Sequence, residues 1–205
     1  MADRRTNPRE DLLTVIAQSK LDGEILSQEY LDGSWLLIIF AGNDTSRNSL
    51  SGTIRLMTEF PDQRAMVLED PSLIPKMSEE ALRMVSPVIH MRRTAVEDTE
   101  LNGQPVAKDE KVVLWYGAAN RDPELFPDPD TFNMHRDNVE KHLAFGHGVH
   151  KCLGSRIAKM QLRLAFERIF DRFPDIHWTG KQKIPPNTLV HAISSLQVNL
   201  YGPGG

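Results

Sequence analysis

The chain has 205 residues, 40% of them apolar and 25% charged, with one cysteine and a formal net charge of -4. That is ordinary globular composition with room for one sizeable core or two small ones, and its acidic balance excludes a general nucleic-acid binder. The longest apolar run, Trp35 to Ala41, is too short to span a bilayer, and the polar lead Met1-Ala2-Asp3-Arg4-Arg5 has no signal-peptide core, so the expectation is a cytoplasmic protein.

Leu12, Leu13, Ile16, Ala17 and Leu21 stand at helical spacing and predict a helix over residues 9–21, broken at Asp22-Gly23. Ser27 is a natural N-cap, and from about residue 27 a second helical pattern runs to about residue 60, just before Pro61. A helix this long, with Leu36, Leu37, Ile38, Ile39 and Phe40 apolar all round, is expected to cross the middle of its domain. Inside it, Ala41-Gly42-Asn43-Asp44-Thr45 puts an acid and an alcohol side by side after an apolar run. Burying them is costly unless they are hydrogen-bonded or useful, and a glycine with a back-bonding threonine is a recipe for a local kink. The plain alternative is an incidental polar patch on a half-exposed helix.

Pro61 to about Glu69 predicts a short helix, and another covers about residues 78–85. Glu80 and Arg83 stand three apart on one face of it, a pair worth only a few tenths of a kcal/mol on a surface, ~0.3. Ser86-Pro87 ends that helix, Val88-Ile89-His90-Met91 reads as a strand, and Arg92 and Arg93 follow. Val96 to Trp115 predicts short strands about a turn at Asn102-Gly103-Gln104-Pro105. Residues 121–138 form a proline- and aspartate-rich meander that contains Arg136.

The sole cysteine lies in Phe145-Gly146-His147-Gly148-Val149-His150-Lys151-Cys152-Leu153-Gly154. A lone thiol has packing, nucleophilic attack or metal ligation open to it. Three glycines suit a backbone that turns sharply or approaches a flat ligand, and the helix opening near Gly154 directs its first N–H groups toward the sulfur, favouring a thiolate. A buried thiol acting as a small hydrophobe is one alternative. Zinc is another, since His142, His147, His150 and Cys152 fall within eleven residues, although structural zinc sites usually draw paired ligands from two segments. A helix over 154–172 comes next, with Ile157, Ala158, Leu162, Leu164, Ala165, Ile169 and Phe170 on its expected buried side. Arg156, Lys159 and Arg163 form a charged stripe on the other, which reads first as a solvated face. Leu189-Val190 and Leu196 to Leu200 read as the last strands.

The decapeptide 145–154 resembles the haem-binding signature of the cytochrome P-450 family, matching all six fixed positions at Phe145, Gly146, Gly148, His150, Cys152 and Gly154. The resemblance extends to Ala41–Thr45, similar to the family's oxygen-activating motif, and to Glu80-x-x-Arg83 with Arg136 as its third partner. It implies a mainly α fold with small β-sheets, here the C-terminal half of the family fold. Cys152 is then the axial ligand of haem b, with Phe145, Gly146 and Gly154 shaping its loop, and Arg92 and His150 serve the haem propionates. Thr45 and Asp44 serve dioxygen and its protons, and Glu80, Arg83 and Arg136 form a buried charged triad. The pocket residues implied are Ile38, Ala41, Val88, Ile89, Leu189 and Val190, all apolar or small, and the turn of the C-terminal hairpin enters that pocket. Gln197 stands where many relatives have proline.

The function implied is a haem-thiolate monooxygenase that inserts one atom of O2 into a C–H bond of an apolar small molecule such as an alkane, terpene or steroid. Electrons come ultimately from NAD(P)H through a reductase and a ferredoxin-type donor, for which the Arg156–Lys159–Arg163 stripe is a candidate surface. The family fold is about twice this length, so the expectation includes a missing N-terminal half and an exposed apolar face on the long helix. Two other readings stay open: a non-catalytic fragment or interaction module needing a partner half, and a haem-binding sensor.

Overall fold

A computed structural model of the chain describes residues 2–202. The chain divides into two compact units, Met1–Asp44 and Thr45–Gly205. In the first, α1 (Ala2–Thr6) and α2 (Leu12–Ala17) precede a small hairpin of β1 (Lys20–Leu21) and β2 (Glu24–Ile25). The helix expected over 9–21 is therefore only six residues long. Asp11 caps it, accepting the Thr14 N–H at 2.8 Å and the Thr14 hydroxyl at 2.9 Å. Its expected last turn is lost because the two-residue Asp22-Gly23 turn pairs Lys20 with Ile25 and Leu21 with Glu24.

The long helix α3 (Gln28–Glu59) begins in the first unit and ends in the second. Ser27 caps it, its hydroxyl accepting the Tyr30 N–H at 3.2 Å. Leu31 is fully buried, but Leu36 and Leu37 are 68% and 64% exposed, and Ile39 and Phe40 are also exposed. The apolar run thus does not lie in a core. The other elements of the first unit are two short helices and two dipeptide strands, too small to cover such an apolar surface. After Thr45 the pattern changes: Asn48, Ser49, Thr53, Leu56 and Met57 recur at spacings of one to four and are all buried, the helix now presenting one face to a core.

That core is completed by α4 (Pro61–Glu69), α5 (Ile74–Val85) and elements further along the chain. The start of α5 lies four residues before the expected 78, because Pro75 fits the first turn, where no N–H is needed. Its residues Met77, Ala81, Leu82 and Val85 are buried, and Ser86 ends it in a left-handed conformation, φ 42°. Next come β3 (His90–Thr94), the hairpin β4 (Thr99–Leu101) and β5 (Gln104–Val106) about Asn102-Gly103, and β6 (Lys111–Trp115), which pairs antiparallel with β3. Val88 and Ile89, expected in the strand, precede it. Val88 makes an isolated antiparallel bridge with Val190, and the Ile89 N–H donates to the Leu189 carbonyl at 2.8 Å.

The four-residue α6 (Tyr116–Ala119) leads into the meander. The eighteen-residue α7 (Ser155–Arg172) packs along α5 through Leu162, Phe166 and Phe170, spaced four apart. Ile157 and Leu164, placed on the buried side by their spacing, are exposed, because the stripe that faces α5 runs through Phe166 instead. The C-terminal hairpin pairs β7 (His177–Lys183) with β8 (Ser195–Asn199). Leu189-Val190 belongs to the connection between those strands rather than to the hairpin itself. Among the described residues, no helix is long and apolar enough to cross a membrane.

Candidate functional site

Helix α5 carries two adjacent acids, each tied to a different distant segment. Glu80 and Arg83 are fully buried and joined twice, Arg83 Nε and Nη2 each lying 2.8 Å from a Glu80 oxygen. Arg83 Nη1 also donates to the carbonyls of Asn120 and Pro129, both at 2.8 Å, and its guanidinium stands over the Phe126 ring. Arg136 reaches the same carboxylate, Nε to Oε1 at 3.2 Å, and the Asn133 N–H donates to it at 3.0 Å. The pair that would count for little on a surface is thus a buried knot holding the meander to α5.

Glu79 holds the approach to the cysteine loop. One oxygen accepts from His142 Nε2 at 3.2 Å and the other pairs with Lys159 on α7 at 2.5 Å. Burial pushes the Glu79 carboxyl up, but the bonds from His142 and Lys159 outweigh it and hold the group below the usual carboxylate range. Glu79→Gln is therefore expected to lose a few tenths to ~1 kcal/mol of stability, the range for a partly screened pair. With the folded value lowered, the contribution is complete above the ordinary glutamate range and vanishes as pH falls through the lowered value. Urea midpoints of variant and parent should differ at neutral pH and converge in acid.

The loop is fixed at both ends by hydrogen bonds from its backbone N–H groups. The Leu143 N–H donates to the Asn120 side-chain oxygen at 2.6 Å, Gly146 N–H to Leu143 O at 2.8 Å, and Cys152 N–H to Phe145 O at 2.8 Å. Gly146 has φ +67°, and a Cβ there would stand 3.2 Å from the Tyr116 hydroxyl, so both conformation and space call for glycine. Gly148 begins a short helical turn that ends at His150. Gly154 immediately precedes α7, and Ser155 N–H donates to Cys152 O at 3.3 Å. Cys152 itself is exposed, between Val149 at 98% and Leu153 at 90% exposure.

Other predicted residues occupy varied settings. Arg92 is exposed on β3, and His150 is exposed on the loop. Asp44 and Thr45 are half-buried on α3, Asp44 closing the first unit and Thr45 opening the second. The helix runs unbroken through Gly42, and the hydroxyls of Ser49 and Thr53 donate to Thr45 O and Ser49 O, at 2.8 and 2.7 Å. Ile38 is half-buried and Ala41 exposed in the first unit. In the second, Val88, Ile89, Leu189 and Val190 come together through the Val88–Val190 bridge and the Ile89–Leu189 bond. The four zinc candidates do not assemble: among the described residues no group of three or more His, Cys, Asp or Glu could hold a metal ion. His142 is committed to Glu79 and to the Ala144 N–H.

Sequence reasoning misses Glu79 and Asn120, whose partners lie far along the chain, takes His142 only as a zinc candidate, and takes Lys159 for part of a solvated stripe. It also misses His90, whose ring packs edge-on to Trp115 and whose buried Nδ1 has no hydrogen-bond partner among the described residues. His90 and Arg92 alternate with Met91 and so share one face of β3. An exposed thiol between two exposed apolar side chains, cationic and imidazole donors at Arg92 and His150, and a buried orphan nitrogen at His90 together fit an apolar, carboxylate-bearing macrocycle such as haem.

The family model for Cytochrome P450 matches residues 1–200, and the chain belongs to that family. It is 40% identical over 197 residues to linalool 8-monooxygenase of Pseudomonas putida, an alignment covering 96% of this chain and 48% of that protein. Against steroid C26-monooxygenase of Mycobacterium tuberculosis strain H37Rv it is 38% identical over 197 residues, 96% of this chain and 49% of that one. The structure of the Mycobacterium marinum cytochrome P450 CYP268A2 in complex with pseudoionone superposes with a TM-score of 0.91 at 37% identity, covering 96% of this chain and 48% of that chain. The α+β architecture is thus that of a cytochrome P450, and the chain spans about half the length of the curated relatives it matches.

Proposed function

We propose that this chain is the cysteine-bearing part of a haem-thiolate monooxygenase acting on an apolar small molecule. The observation that carries the reading is Cys152: the only thiol of the sequence, exposed on a glycine-shaped loop at the head of α7, flanked by exposed Val149 and Leu153. When bound, haem b supplies the reductive activation of O2 and insertion of one oxygen atom into a C–H bond. Cys152 would hold its iron through the thiolate, with Phe145, Gly146 and Gly154 setting the loop, while Arg92 and His150 would donate to its carboxylates. Thr45 would donate a hydrogen bond to dioxygen, and Asp44 would pass protons to it from solvent. The Glu80–Arg83–Arg136 knot keeps the meander in place without touching the reaction.

Val88, Ile89, Leu189 and Val190 would form an apolar wall for the substrate, and Ile38 and Ala41 would offer further apolar contacts from α3. Terpene- and steroid-acting relatives support a substrate of that class. Electrons would come from NAD(P)H through a ferredoxin-type donor, whose acidic surface suits Lys151, Arg156 and Arg163 beside the loop. A lone free cysteine supports a cytoplasmic setting.

The test is the absorption spectrum of the haem-reconstituted chain, reduced and treated with carbon monoxide. A strongly red-shifted Soret band, abolished in Cys152→Ser, is the expected result. A band unchanged in Cys152→Ser, or one typical of a neutral axial ligand, would overturn the assignment.

A further inference from the structure

The start of the cysteine loop is contacted by two groups that meet at one carboxylate. Phe145 opens the loop, and its carbonyl accepts the Cys152 N–H at 2.8 Å, so its placement is transmitted directly to the cysteine backbone. Its ring is approached by the His142 ring, centroids 5.9 Å apart, and by the Lys159 ammonium, 5.6 Å from its centroid. Both flanking groups end on Glu79. His142 Nδ1 accepts the Ala144 N–H at 3.2 Å, which leaves Nε2 as the protonated nitrogen, and that nitrogen donates to Glu79. Lys159 also lines a cavity of about 510 Å³ with Lys141, Lys151, Arg156 and the single acid Glu140, so the neighbouring charge is mainly of its own sign. The Glu79 carboxylate is what keeps the ammonium over the ring.

We propose that Glu79 is a positioning residue for Cys152, acting through His142 and Lys159 on Phe145. It differs in role from its neighbour Glu80, whose ion pairs with Arg83 and Arg136 secure the meander. The proposal rests on the haem-thiolate reading for its functional meaning, but the mechanical link stands on the contacts that join Glu79, His142, Lys159 and Phe145.

The sole thiol gives a readout that needs no cofactor. In the full 205-residue chain, the rate of Cys152 alkylation by a maleimide is compared for the parent, Glu79→Gln, Lys159→Met and the double variant, with Glu167→Gln on the exposed face of α7 as control. Amide hydrogen exchange of α5 and α7 is followed alongside. Glu79→Gln is expected to raise the alkylation rate about fivefold and Lys159→Met, which leaves the His142–Glu79 bond in place, to raise it less, with no further rise in the double variant over Glu79→Gln and with core exchange unchanged, since Lys159 is held through Glu79. Parent-like rates in both single variants, effects that multiply in the double, or acceleration matched by faster exchange of the core would each overturn the proposal. On adding haem and reducing under carbon monoxide, the same variants should show a smaller fraction of the red-shifted band than the control. A parent chain without that band counts against the haem-thiolate reading, while the alkylation rates still decide the role of Glu79.

Discussion

Arg83→Met is expected to destabilise the chain by about 3–5 kcal/mol, the cost of leaving a buried charge without its partner. Methionine fills much of the arginine's volume, so the loss is electrostatic rather than a cavity. It strands Glu80, which is fully buried and keeps only Arg136 and the Asn133 N–H, and it strips the Asn120 and Pro129 carbonyls of their donor. The knot itself is not a large net stabiliser, because desolvating two charges offsets most of their attraction. The two substitutions should therefore be strongly non-additive. Glu80→Gln is expected to be costly by the same reasoning, yet adding it to Arg83→Met should cost little more, since the stranded charge is gone. Urea denaturation of the two single variants and the double, with an unchanged denaturant slope, is the measurement. Additive losses would show that the two side chains act independently, contrary to the geometry.

Much of this site is legible in the sequence, and the reason is local. The six fixed residues of 145–154 encode a loop whose requirements, two positive-φ glycines and a thiol ahead of a helix, are met within ten residues. The Glu80–Arg83 spacing is equally local, but its burial is not, because that depends on carbonyls contributed by the meander. Glu79 is invisible for the same cause: nothing near it in sequence announces His142 or Lys159. The unbroken apolar run Leu36–Phe40 says which residues seek cover and not whether cover is present, so the expected core helix is exposed there. Strand β7 escapes a reading by pattern because His177-Trp178-Thr179-Gly180-Lys181-Gln182-Lys183 does not alternate. The structure shows why, with a register shift between Trp178 and Gln182 and Gly180 at φ +85°.

Gly52→Ala is expected to destabilise the chain by about 1 kcal/mol, against the sign that helix propensity alone gives. A mid-helix glycine costs ~1 kcal/mol relative to alanine, so the substitution in an open helix would be stabilising. Here α3 meets α5, and an alanine Cβ at residue 52 would stand 2.5 Å from Val85 Cγ2 and 3.0 Å from Cγ1. Valine is stiff about χ1 and its neighbours on α5 are buried, so relief requires a shift of the helix itself, an overpacking cost of roughly 1–3 kcal/mol that outweighs the propensity gain. Helix α5 also carries Glu79 and Glu80, so the same shift disturbs the acids tied to His142, Lys159 and the meander. The decisive comparison is made in a Val85→Ala background, where the methyl groups are absent. There Gly52→Ala should become stabilising, because the new Cβ occupies the space the valine left and the helix gains its propensity. A reversal of sign between the two backgrounds, read from urea midpoints, identifies close helix approach as the reason for glycine. The same sign in both would assign its presence to something other than this contact.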